Sequence, residues 1–188
     1  MKPLTPTTPH VIILVGIPGS GKTTFAEHFA KTFHAPYINT SGIEATVGIN
    51  KTAALKVTEL LFDELLKTQR SLVYEGPTEN SAERLALSKY VAKAGYKSLI
   101  VWVQTDPQEA KRRATKRSKV GALSPSEFDA AYAQFMPPIG NEKPAVISGK
   151  HTYATQLKVV LKHIAGTRPA TSITSEPRTQ TGRNITVR

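Results

Sequence analysis

The sequence predicts an α/β fold, a doubly wound three-layer sandwich with a mostly parallel sheet. Short apolar segments rich in β-branched residues alternate along the chain with longer segments of helical periodicity. Strands that are separated by helices pair in parallel through right-handed crossovers, and these connections place helices on both faces of the sheet. The 188 residues suffice for one such domain.

The first strand and the first helix have the clearest patterns. Residues 11–15 (VIILV) form a continuous apolar run that ends at Gly16, which predicts a buried strand. Residues 23–33 have the periodicity of an amphipathic helix, and one face of this helix carries phenylalanine at every fourth position. The phenylalanines expected in the core are Phe25, Phe29 and Phe33.

The middle of the chain predicts a short strand at residues 36–39, a helix at 51–68 and a third strand at 71–75. A polar loop is expected at residues 39–44, after the short strand. The residues of the long helix that are expected to face inward are Leu55, Leu61, Phe62 and Leu65.

Capping residues mark the helices of the second half. Asn80 and Glu83 have the spacing of a capping box. Asp106 and Ser124 are each followed by a proline and, three residues after the cap, by a glutamate, so a helix is predicted after each. The other predicted elements here are a helix at 81–94, a strand at 99–103, a strand at 145–148 and a helix at 153–164.

The two ends of the chain differ from its centre in composition. Residues 1–9 hold three prolines and three threonines without apolar periodicity, which predicts a flexible arm. Residues 167–188 are rich in Thr, Arg and Pro, and they carry too few apolar residues to offset the entropy of ordering. We therefore expect a folded domain at residues 10–166 and a disordered basic tail after it.

Composition restricts the classes of function. Lys and Arg number 25 against 14 Asp and Glu, and the net charge of +11 favours ligands that carry phosphate groups. The chain has no cysteine, which excludes disulfide bonds and a cysteine nucleophile. The apolar run at residues 11–15 is far shorter than the ~20 residues of a transmembrane helix. We expect a cytoplasmic protein that makes no contact with membranes.

Residues 16–23 match the phosphate-binding loop G-x-x-x-x-G-K-[ST], between a buried strand and an amphipathic helix. Its glycines let backbone N–H groups turn toward a phosphate, and the N-terminus of the helix adds partial positive charge. Lys22 is expected to contact the β- and γ-phosphates of ATP, and the Thr23 hydroxyl to bind Mg²⁺. The predicted ATP-binding residues are Gly16, Ile17, Pro18, Gly19, Ser20, Gly21, Lys22, Thr23 and Thr24.

A carboxylate at the end of a strand is the next requirement of a phosphoryl-transfer site. None of the chain's three aspartates, at positions 63, 106 and 129, closes a predicted strand. Glu75 does close one, at the sheet edge where open α/β sheets bind ligands. It is predicted to act on the metal ion or as the base. Glu44, in the expected polar loop, faces either the γ-phosphate or water.

Residues 111–119 hold six basic side chains and no acid. On a helix, Arg113 and Arg117 lie at positions i and i+4, on one face. Two guanidinium groups so placed predict a lid that stabilises the charge of a triphosphate during transfer. An RNA contact through this segment and the basic tail, or a solvated face, would show the same pattern.

Over residues 10–150 the chain resembles the P-loop kinases related to polynucleotide kinase and zeta toxins, often described as AAA-type ATP-binding proteins. The residues that carry the resemblance are 15–23, the strand 72–76 followed by Arg84, the pair Arg113 and Arg117, and residues 135–138 with Glu142, Val146 and Ile147. The resemblance implies a P-loop NTPase fold, ATP and Mg²⁺ as cofactors, and transfer of the γ-phosphate. The acceptor is then a hydroxyl of a polynucleotide 5′ end, a nucleoside or another small metabolite.

The chain departs from this group after the second strand. The group's pattern there is close to Asn-x-Asp-x-x-Arg, and its aspartate activates the acceptor hydroxyl. Here Asn39 is retained, but Ser41 stands in place of the Asp and Glu44 in place of the Arg. On the third strand, Glu75 replaces an Asp. An alternative function is therefore a non-catalytic or weakly hydrolytic ATP-binding module that contacts RNA or a protein.

Overall fold

A computed structural model describes residues 8–116 and 121–166. The expected basic tail at 167–188, Arg117, and residues 1–7 of the expected N-terminal arm lie outside these ranges. Within the described ranges, no helix has both the length and the apolar character required to cross a membrane.

The centre of the fold is a five-stranded parallel sheet of strand order β2-β3-β1-β4-β5. The strands are β1 (His10–Val15), β2 (Tyr37–Asn39), β3 (Leu72–Glu75), β4 (Lys97–Gln104) and β5 (Ala145–Ser148). All six residues of β1 are buried, because β1 pairs with β3 on one side and with β4 on the other. The α/β class, the parallel sheet and the short second strand are confirmed.

Helices cover both faces of the sheet, as a doubly wound fold requires. They are α1 (Lys22–Phe33), α2 (Thr40–Val47), α3 (Lys51–Lys67), α4 (Ser81–Lys93), α5 (Pro107–Thr115), α6 (Pro125–Gln134) and α7 (Tyr153–Gly166), with a 3₁₀ turn at Gly140–Glu142. Helices α1 and α7 supply side chains to one core layer, and α3 and α4 supply them to the other.

Strand β1 divides the core because its side chains alternate between the two layers. Ile12 and Leu14 pack in the layer of α1, whereas Val11, Ile13 and Val15 pack in the layer of α3 and α4. The three predicted phenylalanines of α1 are buried in the first layer. Each fully buried Phe contributes roughly 1.5–3 kcal/mol through removal of its surface from water.

The prediction of a polar loop at residues 39–44 is wrong, because Asn39 caps helix α2 and the residues after it form the start of that helix. The Asn39 side chain accepts a hydrogen bond of 3.0 Å from the amide of Gly42, which caps the helix. Gly48, in a left-handed conformation with φ of +70°, ends it. Glu44 therefore lies on a helix, half-buried.

The inward face of α3 also differs in part from the prediction. Phe62 is buried as expected, but Leu61 is 47% exposed. Leu55 and Leu65 are half-buried. The buried residues of α3 recur at the helical period through Phe62: Ala54, Thr58, Phe62 and Leu66. Leu61 lies about 100° around the helix from Phe62, on the solvent side.

A buried ion pair joins α4 to the segment after α6. Arg84 is fully buried, and its Nε and Nη2 donate to the Glu142 carboxylate at 2.6 and 3.1 Å. Arg84 Nη1 donates to the carbonyl oxygens of Thr78 and Met136 at 2.9 and 3.0 Å. These contacts fix the loop after β3 to a segment more than fifty residues later in the chain.

We expect Glu142→Gln to lower the free energy of unfolding by about 3 kcal/mol, since it leaves the Arg84 cation buried without a counter-charge. Urea denaturation measures the change. Glu64→Gln serves as the matched control, because Glu64 pairs with Lys67 on the surface, and its midpoint should stay unchanged.

The same variant should alter the dependence of stability on pH. Hydrogen bonds from Arg84 lower the pKa of the Glu142 carboxyl in the folded state. The ion pair therefore stabilises the fold above the unfolded-state pKa of about 4.3 and is lost as the pH falls further. An equal acid sensitivity in Glu142→Gln and the native protein would contradict this account.

Candidate active site

The phosphate-binding loop connects β1 to α1 in a conformation that only glycine adopts readily. Gly19 and Gly21 have φ of +75° and +106°. A Cβ at Gly19 would lie 2.2 Å from the carbonyl oxygen of Ala110 in α5. The loop is thus held between the sheet and the first turns of α5.

The N-terminus of α1 differs from those of the five helices that follow it. The helices α2 to α6 are each capped by a side chain, from Asn39, Asn50, Asn80, Asp106 and Ser124. The cap position of α1 is Gly21, which provides no side-chain cap. The first amides of α1 are therefore left without the side-chain acceptor that the other helices use, and an anion fits there.

The Lys22 side chain lies against the backbone of the loop. Its Nζ donates to the carbonyl oxygens of Gly16 and Ile17 at 2.8 and 3.1 Å. Burial lowers the pKa of the Lys22 ammonium, and the negative charges of Glu75 and Glu79 oppose this shift. A cation and helix amides without a side-chain cap are thus combined in one loop.

Glu75 and Thr23 are brought into direct contact at the end of β3. The Thr23 hydroxyl donates to Glu75 Oε1 at 2.9 Å. The Tyr37 hydroxyl donates to Glu75 Oε2 at 2.5 Å, and Asn39 Nδ2 donates to the Tyr37 oxygen at 3.0 Å. Both oxygens of the Glu75 carboxylate therefore accept a hydrogen bond.

Sequence reasoning missed Tyr37 and the contact of Asn39 with it. Strand register explains their position, because β2 pairs in parallel with β3 and places Asn39 beside Glu75. Alternate residues of a strand share a face, so Tyr37 lies on the same side as Asn39. Burial and the Glu75 charge raise the pKa of the Tyr37 hydroxyl, which keeps it a hydrogen-bond donor.

Ser20 supplies a further polar group to the loop. Its Oγ is buried and finds no hydrogen-bond partner among the described residues. The backbone is fixed nearby, since the Thr105 hydroxyl donates to the Ser20 carbonyl at 2.9 Å. Buried polar atoms are paired in the great majority of cases, so this hydroxyl is available to a ligand.

The basic segment at 111–119 is partly paired with acids that lie outside it. Glu109, one turn earlier in α5, accepts hydrogen bonds from Arg112 and Arg113, which lower the pKa of the Glu109 carboxyl to about 2. Lys111 donates to Asp129 of α6 at 2.7 Å. The described end of α5 therefore does not present the unpaired basic face that its local sequence indicates.

Arg113 reaches the vicinity of the loop through the backbone of Gly149. Its Nη1 donates to the Gly149 carbonyl at 3.3 Å. A Cβ built on Gly149 would lie 2.1 Å from the carbonyl oxygen of Ser20, so Gly149 packs directly on the loop. The helix α5 ends at Thr115, and Arg117 lies outside the described residues, so the arginine pair stays a prediction.

A cleft of about 460 Å³ adjoins the loop at the carboxyl ends of β4 and β5. Ile17 contributes to its wall, together with aromatic side chains from β4, α6 and the segment after α6. They are Trp102, Tyr132 and Phe135. A volume of this size is in the range of small-molecule sites, so the site has room for a ligand larger than a phosphate.

A family model described as an AAA domain matches residues 11–138, which include the loop, Glu75 and Arg113. The chain belongs to the AAA domain family. Its fold is also that of solved P-loop kinase structures, to which it is similar at low sequence identity.

A gluconokinase from Sinorhizobium meliloti 1021 has a TM-score of 0.62 and 17% identity, over 84% of this chain and 93% of that one. The APS kinase of Mycobacterium tuberculosis, in complex with AMPPNP and APS, has a TM-score of 0.63 and 16% identity, over 84% of this chain and 98% of that one. Kti12 of Chaetomium thermophilum, in complex with ADP-AlF3, has a TM-score of 0.64 and 16% identity, over 81% of this chain and 96% of that one. The predicted P-loop NTPase fold is confirmed.

Replacement of Gly19 by alanine should destabilise the protein more than the same change at Gly48. Both glycines have positive φ, which costs an alanine about 1 kcal/mol, but a Cβ at Gly48 meets no atom within 4 Å. The clash at Gly19 should add roughly 1–3 kcal/mol. Urea denaturation of the two variants gives the difference, and equal losses would show that α5 does not hold the loop.

Proposed function

We propose that this protein binds Mg²⁺–ATP in the loop at residues 16–24 and transfers its γ-phosphate to a hydroxyl acceptor. One observation carries the proposal: the Lys22 ammonium, the uncapped N-terminus of α1 and the Thr23–Glu75 contact meet at the carboxyl end of the sheet. A cation, unpaired amides and a hydroxyl beside a carboxylate are the groups that phosphoryl transfer from ATP requires.

The loop would hold the phosphates of ATP through its backbone amides. The first amides of α1 and the free Ser20 hydroxyl are donors, and an anion at this helix end is favoured by the helix dipole. Lys22 now donates to two carbonyl oxygens of the same loop, and it would exchange them for the more strongly bound phosphate oxygens.

Thr23 and Glu75 would hold the Mg²⁺ ion, which neutralises charge on the phosphates when bound. Because the Thr23 proton is directed to Glu75 Oε1, the lone pairs of the hydroxyl oxygen are left for a metal ion. Tyr37 holds the other carboxylate oxygen, and Asn39 holds Tyr37. The series of hydrogen bonds from Asn39 through Tyr37 and Glu75 to Thr23 thus fixes the residues that would hold the metal ion.

Arg113 and Arg117 would form the lid over the triphosphate. The proposal for Arg113 is supported by its contact with Gly149, which packs on the loop at Ser20. The side chain would have to release Glu109, with which it now pairs at 2.8 Å. An anionic triphosphate competes for a guanidinium group with this partly exposed carboxylate.

The identity of the hydroxyl that would accept the γ-phosphate is part of the same proposal. The resemblance to polynucleotide kinases and zeta toxins favours the 5′ hydroxyl of RNA, a nucleoside or an amino sugar. The second function, an ATP-binding module without transfer, is favoured by Ser41. This residue is exposed on the first turn of α2, where the resembling kinases have the aspartate that activates the acceptor.

Transfer of label from γ-phosphate-labelled ATP tests the proposal, with Mg²⁺ and, in separate reactions, a 5′-hydroxyl oligoribonucleotide, adenosine and glucosamine. We expect label on one of these acceptors and a loss of at least 100-fold in rate for Lys22→Ala, since Lys22 is the cation that lies on the loop itself. The matched control is Lys31→Ala, on the exposed last turn of the same helix, which should transfer at the native rate.

The outcomes separate the two functions. Bound ATP with no transferred or released phosphate would favour the ATP-binding module. Release as free phosphate alone would show an ATP hydrolase. Transfer at the native rate by Lys22→Ala would contradict the role of this loop.

A further inference from the structure

The site needs a base for the acceptor hydroxyl, and α2, the end of β3 and the loop after β3 each carry a glutamate. Glu44 is on α2, Glu75 ends β3, and Glu79 lies in the loop between β3 and α4. Ser41 takes the position at which the resembling kinases have an aspartate, and a serine hydroxyl is a poor base. The contacts of the three glutamates distinguish them.

Glu75 is already engaged on both oxygens. Oε1 accepts from Thr23 and Oε2 accepts from Tyr37. These donors direct Glu75 toward the metal side of the site. A further proton from the acceptor would have to compete with two hydrogen bonds of 2.9 and 2.5 Å.

Strand pairing places Glu79 at the same edge of the sheet as the phosphate-binding loop. Strands β1 and β3 are parallel neighbours, so the loop after β3, which holds Glu79, and the loop after β1 both follow carboxyl ends of adjacent strands. The charges of Glu75 and Glu79 also oppose the lowering of the Lys22 pKa by burial.

Glu79 is also held in a fixed place by its backbone. Its carbonyl oxygen accepts from the amide of Met136 at 2.8 Å and from Arg84 Nη1 at 3.3 Å. The neighbouring Thr78 hydroxyl donates to the Leu14 carbonyl at 3.0 Å, which ties this loop to β1. Because β1 leads directly into the phosphate-binding loop, the position of Glu79 relative to Lys22 is fixed from two sides.

The side chain of Glu79 has one oxygen free for a substrate. Oε2 accepts from the amide of Thr78 at 3.0 Å, and no donor to Oε1 is found within residues 8–116 and 121–166. The residue as a whole is exposed. A carboxylate with one oxygen anchored and one oxygen open has the arrangement that proton abstraction from a bound hydroxyl requires.

We propose that Glu79 is the general base of the phosphoryl transfer, an inference that rests on the proposed function. The acceptor O–H proton passes to Glu79 Oε1 while the acceptor oxygen forms a bond to the γ-phosphorus. The bond from that phosphorus to the β–γ bridging oxygen breaks, and its electron pair leaves with ADP. The Glu79 proton is then released to solvent, which restores the carboxylate.

Glu79→Gln tests the assignment, because glutamine keeps the hydrogen bond to the Thr78 amide and loses the base. Transfer is measured at saturating Mg²⁺–ATP to the acceptor labelled in the assay above, and affinity is measured by titration with a fluorescent ATP analogue. We expect kcat to fall by roughly 10²–10⁴-fold with the affinity for the analogue unchanged.

Two further variants serve as comparisons. Glu59→Gln removes a carboxylate that, like Glu79, acts on the Tyr74 hydroxyl, but it lies on the exposed face of α3 and should leave kcat unchanged. Glu44→Gln tests the competing assignment. A large loss in Glu44→Gln together with a native rate in Glu79→Gln would assign the base to Glu44 and overturn the proposal.

The remaining outcomes are also decisive. A parallel loss of ATP affinity and kcat in Glu79→Gln would show a structural role and reject the base. If Glu79→Gln transfers phosphate at a rate within threefold of the native rate, the assignment of the base is rejected and the proposed function stands. Binding of Mg²⁺–ATP by the native protein without any transfer would reject the proposed function, and the base with it.

Discussion

The hydrogen bond from the Thr23 hydroxyl to Glu75 joins the start of α1 to the end of β3, across residues that lie 52 positions apart. It depends on the parallel pairing of β3 with β1, which brings the carboxyl ends of both strands to one edge of the sheet. Tyr37 and Asn39 extend the same contact to β2. Two neighbouring strands and helix α1 thus contribute to one polar network, which fixes the start of α1 against the sheet.

A second set of contacts fixes the loop between β3 and α4. Arg84 is fully buried, and it binds Glu142 together with backbone carbonyls of the loop that holds Glu79. An unpaired buried guanidinium would be very costly, so its partners are held firmly in place. This loop is therefore held by residues that lie outside the phosphate-binding loop. The arginines of α5 contrast with Arg84, because their pairs with Glu109 are partly exposed to solvent and can exchange.

Much of the fold could be predicted because its signals are local. Apolar runs, helical periodicity and capping residues specify the strands and most helices, and the phosphate-binding loop is a contiguous motif. Helix α2 was missed because its segment contains two threonines, a glycine and a valine, which favour helix weakly, although Asn39 and Gly48 cap it. The contacts of Glu75 with Tyr37 and of Arg84 with Glu142 depend on strand register and on chain segments far apart, and no local pattern specifies such pairs. The pairing of Glu109 with Arg113, in contrast, has helical spacing and could have been found.

A crystal structure of the protein with Mg²⁺ and AMPPNP tests the central claim most directly. The triphosphate should lie against the amides of the loop and of the first turn of α1. Lys22 Nζ should have left the carbonyl oxygens of Gly16 and Ile17 for phosphate oxygens, and the Thr23 hydroxyl should bind the metal ion. Lys22 still bound to both carbonyl oxygens at saturating nucleotide, with the loop empty, would contradict it.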